Sequence, residues 1–186
     1  MSQMIDFTLP SCQPGRTLHA FRCVPEGEVR AVLQLSHGMV EFIDRYKPLA
    51  ENLAARGILV TGNDHLGHGD TAQAGEHGHY GEPNGRCHLL NDLHTMNRIL
   101  HERFPDTPII LYGHSMGSFL TRTYIIDHPE GLKGVVISGT GQNPAAVVAA
   151  GKLMAKLEMI DNGPMYHSPT LDKLAFGSYN LSLIHI

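Results

Sequence analysis

The chain has 186 residues, 42% hydrophobic and 17% charged, with a formal net charge of −4. That length can bury one sizeable core, and the mild acidity gives no expectation of a nucleic-acid partner. No apolar run approaches the roughly 20 residues of a membrane span. The start Met1-Ser2-Gln3-Met4-Ile5-Asp6 lacks the basic and apolar regions of a signal peptide, so a cytoplasmic location is the default expectation. Cys12, Cys23 and Cys87 are odd in number and show no C-x-x-C spacing, which favours free thiols over a disulfide framework or zinc site.

Strand and helix signals alternate along the chain, the pattern of an α/β sheet. Residues 16–24 and 30–36 read as strands, the second carrying Ala31-Val32-Leu33-Gln34-Leu35, with the turn-like Pro25-Glu26-Gly27-Glu28 between them. A helix is predicted over 47–56, with Leu49, Leu53 and Ala54 on one face and Gly57 as its stop. Ile58-Leu59-Val60-Thr61 is the next strand, leading into a glycine- and histidine-rich loop from Asn63 to about Gly85. Leu89, Leu93, Met96, Leu100 and Phe104 share one face of a helix predicted over 87–104, which Pro105 ends. Strand 108–112, a turn, helix 116–127 and strand 132–138 follow. Right-handed crossovers would gather the strand ends, and any site, on one edge. From Pro144 to Ile160, Val147, Val148, Gly151, Met154, Ala155 and Leu157 form a broad apolar stripe, while Lys152, Lys156 and Glu158 lie mostly elsewhere.

The chemistry concentrates in Tyr112-Gly113-His114-Ser115-Met116-Gly117, a G-x-S-x-G between a strand and a helix. A serine at the apex of such a turn adopts a strained backbone, and its neighbours two residues away must be small. Gly113 and Gly117 meet that need. The helix opening at Met116 points its N-terminus, with its partial positive charge, at the reacting atom. An oxyanion also needs a donor from across the site, and His37-Gly38-Met39, directly after the second strand, is the candidate. The plainer alternative is a strand-ending turn.

Asp64-His65-Leu66-Gly67-His68-Gly69 invites a metal reading, because two histidines three apart beside an aspartate can ligate zinc or iron. Glycines surround each pair and no helix fixes the spacing, so the preferred reading is a loop that walls the serine. There His65 and His68 would bond to backbone. No metal or cofactor is expected.

Four ordered segments together carry a family resemblance: HGMVEFIDRY at 37–46, NDHLGHGDT at 63–71, HLLNDLHTM at 88–96 and LYGHSMGSF at 111–119. The chain resembles the monoacylglycerol lipase and lysophospholipase branch of the α/β-hydrolases, also described as serine aminopeptidase-like. The resemblance implies a mostly parallel sheet with flanking helices, Ser115 as nucleophile and the amides of Met39 and Met116 as the oxyanion hole. It further implies that Glu41 braces the His37-Gly38 loop; a solvated surface carboxylate is the alternative. The partner implied is a small-molecule lipid ester, a lysophospholipid or a monoacylglycerol. Another carboxylesterase, a serine peptidase and a non-catalytic hydrolase-like binding protein are the alternatives.

Within that resemblance residues 1–141 correspond to the first part of the core and 142–180 to the beginning of a cap. The stripe after Pro144 would then line an acyl pocket and touch a lipid surface, although packing on its own domain is the preferred reading. A general base is required, and in this fold the order is Ser, then Asp or Glu, then His. Asp127-His128 lies too far along its helix to reach Ser115, and Asp161, His167 and Asp172 follow no convincing core strand, so no acid or base is assigned. Residues 181–186 resemble the translation of a sequencing-library adapter, with a genuine short strand as the alternative. The expectation is therefore a fold incomplete at its C-terminus, with its last strands missing, an exposed sheet edge and little or no activity. Oligomeric state is not legible.

Overall fold

The computed structural model describes residues 2–174. Its strands are β1 (Gln3–Pro10), β2 (Thr17–Val24), β3 (Ala31–Ser36), β4 (Ile58–Asn63), β5 (Ile109–His114) and β6 (Leu132–Ser138). They form one sheet in the order β1-β2-β4-β3-β5-β6. β1 and β2 are an antiparallel hairpin and β2 joins β4 antiparallel, whereas β4, β3, β5 and β6 run parallel. Helices α1 (Lys47–Ala54), α2 (Gly85–Arg103) and α3 (Met116–Asp127) supply the crossovers.

Strand alternation explains why both faces are covered. In β2, Leu18 and Ala20 belong to a core shared with Leu89, Met96 and Leu100 of α2, while Phe21 and Cys23 join Ala50 and Ala54 of α1 on the opposite face. Leu89, Leu93, Met96 and Leu100 are all buried, as their spacing predicts. Each contributes a gross ~1.5–3 kcal/mol of burial. One polar tie crosses this apolar layer: Gln34 donates from Nε2 to the Leu93 carbonyl at 2.9 Å and accepts from Asn97 Nδ2 at 2.8 Å. Both ends of its amide are thus satisfied at zero exposure.

The structure departs from the sequence reading in three elements. β1 is absent from the sequence reading although Ile5-Asp6-Phe7-Thr8-Leu9 alternates apolar and polar residues, the signal of a half-buried strand; Pro10 at its end reads as a breaker. It is an edge strand, where one face can be polar and a terminal proline costs no ladder bond. In α1 the buried face is Ala50 and Ala54, while Leu49 is 41% exposed. Small residues spaced by four let the helix backbone approach the sheet, so Leu49 is turned outward. The third difference is helix α4 (Ala145–Asn162).

The chain divides into two compact units, the first Met1–Thr140 and the second starting at Gly141. The second contains α4, where the apolar stripe was expected to pack. No residue of α4 is buried: Val147 is 58% exposed, Leu157 54% and Ile160 67%. Leu153, Met159 and Ile160 extend apolar character beyond the stripe, so no single face is singled out for a core. In the first unit β6 is an edge of the sheet, and its Val136 and Ile137 are exposed. Residues 181–186 lie outside the described residues.

Candidate active site

β5 ends at His114, α3 begins at Met116, and Ser115 makes the whole turn at φ 50° and ψ −116°. Only glycine adopts positive φ without cost, so a serine held there stores strain. Val40 is a second non-glycine residue with positive φ, at 59°, on the facing loop after β3. Asn84, ahead of α2, is the third such residue among the described ones.

The glycines of the turn are set by contact. A Cβ on Gly117 would lie 2.0 Å from the Ser36 carbonyl oxygen and 2.6 Å from that of His37, both main-chain atoms. A Cβ on Gly113 would lie 2.4 Å from Thr121 Oγ1 and 2.5 Å from the Gly117 carbonyl oxygen. α3 therefore starts hard against the end of β3. The same packing brings the two halves of the site together, since a Cβ on Gly38 would sit 3.0 Å from Ser115 Cβ. The turn is pinned on its other side too, where the Ser115 N–H donates to the Ser138 carbonyl at 2.9 Å and Ser118 Oγ donates to the Ser115 carbonyl at 2.6 Å. His114 points to β6, with Nδ1 3.3 Å from Ser138 Oγ.

The loop after β3 is held by Glu41. Its Oε1 accepts the Gly38 N–H and the Tyr46 hydroxyl, the latter at 2.9 Å, and Arg45 Nη1 lies 3.5 Å from its Oε2. With only 10% side-chain exposure it is not a solvated surface carboxylate. Burial, with Glu41 beside it, pushes the Tyr46 phenol well above its ordinary range. Among the described residues the Met39 N–H has no acceptor. The Met116 N–H opens α3, where first-turn amides lack intrahelical partners.

Three imidazoles wall this loop from beneath. His37, fully buried, donates from Nδ1 to the Gly38 carbonyl at 2.7 Å and accepts the His65 N–H on Nε2 at 2.9 Å. That pairing uses both nitrogens of a neutral ring, and burial pushes its pKa down to about 3. Burial also drives His65 well below its ordinary value and lowers His68. His68 bonds the Leu66 carbonyl at 3.1 Å, whereas the His65 ring pairs with the Ser36 hydroxyl at 3.2 Å, not with backbone. His68 stacks on Tyr80, whose hydroxyl donates to Met116 Sδ at 3.2 Å. Asp64 is no free ligand either: its two oxygens accept the Ile43 and Asp70 amides at 2.6 and 2.8 Å. Among the described residues only Asp6, His19 and Asp44 group with ligand spacing, and Lys47 Nζ bridges both of those carboxylates at 2.8 and 2.7 Å.

Tyr46, Ser36, Tyr80 and Ser138 were not singled out from the sequence. Tyr46 falls inside the HGMVEFIDRY segment, its only sequence signal; the others meet the site through tertiary packing. Among the described residues no side chain hydrogen-bonds Ser115 Oγ.

The chain matches the serine aminopeptidase S33 family, Hydrolase_4, over residues 27–163. It belongs to that family. Its relatives include a monoacylglycerol lipase of Mycolicibacterium smegmatis, 31% identical over 72% of this chain and 48% of that protein. A monoglyceride lipase homolog of monkeypox virus is 30% identical over 69% of this chain and 45% of that protein. Among solved structures, a carboxyl esterase of Bacillus coagulans in complex with glycerol superposes with a TM-score of 0.78 at 27% identity, over 94% of this chain and 56% of that one. The α/β-hydrolase fold is thereby shown, and the chain spans about half the length of the relatives it matches. No helix among the described residues is long and apolar enough to cross a membrane.

Proposed function

We propose that the whole protein is a serine hydrolase of lipid carboxylic esters that works through an acyl-enzyme on Ser115. The observation that carries this reading is the backbone of Ser115: a polar residue at φ 50° on a strand-to-helix turn, with a glycine on either side that has no room for a Cβ. Strain of about 1–3 kcal/mol persists only where surrounding structure enforces it, and functional sites are where it collects. In the proposed reaction Ser115 Oγ attacks the acyl carbonyl carbon as its proton passes to a base. The Met39 and Met116 amides receive the oxyanion, the protonated alcohol leaves, and water then releases the fatty acid. Glu41 holds Gly38 so that the Met39 amide faces the serine. His114 and His37 serve the turn and loop as supports.

The acid and base are assigned to sequence outside the described residues, a reading supported by the length of the relatives. This chain alone is expected to be an inactive or feeble fragment. Residues from 142 onward are read as the start of a cap, and the exposed apolar residues of α4 support peripheral contact with a lipid surface. A monoacylglycerol or lysophospholipid substrate is supported by the names of the relatives. The test is a panel of acylglycerols, lysophospholipids and aminoacyl amides on the product of the complete gene. Ester cleavage that falls at least about a thousandfold in Ser115→Ala is expected; cleavage unaffected by that change, or confined to amides, would refute the proposal.

A further inference from the structure

We infer that the first unit carries a second ligand site, for a long-chain carboxylate, on the sheet edge opposite Ser115. A cavity of about 610 Å³ lies between the β1-β2-β4 end of the sheet and the C-terminal half of α2. Its volume falls in the range of about 300–1,000 Å³ typical of small-molecule sites. Phe7, Val24, Leu59, Met96, Leu100 and Phe104 supply apolar wall from both layers. The level of Leu59 in the sheet is that of Val32 and Ile109, which pair across β4, β3 and β5. Thr61, which also lines it, is level with Leu111, so at ~3.3 Å per residue the cavity lies about 13–20 Å from Ser115 along the strands.

Among the described residues the only charged groups lining the cavity are two guanidinium groups, Arg22 and Arg103, and no carboxylate lines it. Arg22 stands on β2 with its guanidinium carbon 5.6 Å from the centre of the Phe7 ring. Its Nε is buried with no hydrogen-bond acceptor among the described residues. That nitrogen is itself closed to a ligand, but no acceptor neutralises it, so Arg22 leaves an uncompensated cation in this wall. Arg103 is exposed at the end of α2. A guanidinium fork matches a carboxylate through paired N–H donors, while the apolar wall suits a chain of methylenes. A small inorganic anion leaves that wall unfilled, and a neutral lipid leaves the arginines unanswered. A single carboxylate on a long alkyl chain meets both demands.

Titration of the protein with dodecanoate, with dodecanol as the uncharged control, tests the site independently of any reading of Ser115. Dodecanoate is expected to bind and to shift the Met96 methyl resonance, and Arg103→Gln to weaken it about tenfold while leaving dodecanol unchanged. Arg22→Gln is expected to weaken dodecanoate further; should that variant fail to fold, exposed Arg103 and the Met96 signal still decide the matter. Equal affinity for the acid and the alcohol, no effect of Arg103→Gln, or binding that leaves Met96 unmoved would overturn the inference. The Ser115→Ala protein is expected to give the same titration.

Discussion

The turn at Ser115 and helix α4 are both rich in small residues, and the structure treats them in opposite ways. At the turn, a Cβ on Gly117 meets main-chain oxygen at 2.0 Å; on α4, a Cβ on Gly151 meets nothing within 4 Å. Gly117 is a glycine because no other residue fits, whereas Gly151 sits where any residue fits. Small residues therefore mark a site only where packing leaves no alternative, as at the junction of β3, β5 and α3.

That contrast can be broken by mutation. Gly117→Ala is expected to cost about 3 kcal/mol or more, because the clashing atoms belong to backbone that cannot rotate away. A chemical denaturation midpoint close to that of the parent would show that the turn is looser than described.

An effect of at least similar size should follow from acidification, through buried histidines of the first unit. His37, His65 and His68 are held neutral by burial, so the unfolded chain binds more protons than the folded one below an ordinary histidine pKa of about 6.5. Stability therefore rises with pH across the window from about 3, the folded value of His37, to about 6.5, and is lost as pH falls through it. Asp64, raised by burial, acts with the opposite sign, but its two amide donors limit that effect. Thermal melts from pH 7.5 down to pH 4.5 should show a falling midpoint, with a shallower slope in His37→Asn. A flat profile would mean the rings are not kept neutral.

Ser115→Gly should raise stability by about 1 kcal/mol, since glycine relieves the positive φ. Because Ser115 Oγ has no partner among the described residues, little is lost in exchange. A lower midpoint would argue that the serine is unstrained. Smallest of all, Gly151→Ala should stabilise α4 by about 0.5–1 kcal/mol, read as helicity by circular dichroism. The two glycine-to-alanine changes thus have opposite signs, which is the sharpest form of the contrast.

Much of the architecture is legible in the sequence because apolar period and punctuation agree. α3 and β6 occupy Met116–Asp127 and Leu132–Ser138, the spans their patterns predict, and the buried stripe of α2 follows its three-and-four spacing. What failed to show were features whose cause is tertiary. α1 presents alanines because the sheet comes close, which has no local signature, whereas the alternation of Ile5, Phe7 and Leu9 with Asp6 and Thr8 does mark β1. At the site, the glycine–serine spacing announces the turn and the family resemblance implies the bracing of Gly38 by Glu41, but the second donor to that carboxylate, Tyr46, depends on how a loop closes. The proton link of His37 to His65 joins segments 28 residues apart in sequence. The stripe of α4 shows that periodicity states which residues share a face and not whether they are buried, since none of α4 is.

The proposed role of the strained backbone at Ser115 is to present a nucleophile. Treating the complete gene product with a fluorophosphonate probe, then mapping the adduct by peptide mass spectrometry, tests it most directly. A single phosphonylated residue, Ser115, is expected, with labelling abolished in Ser115→Ala while the variant keeps its melting midpoint. Labelling that persists in that variant, or a folded complete protein that takes up no probe, would contradict it.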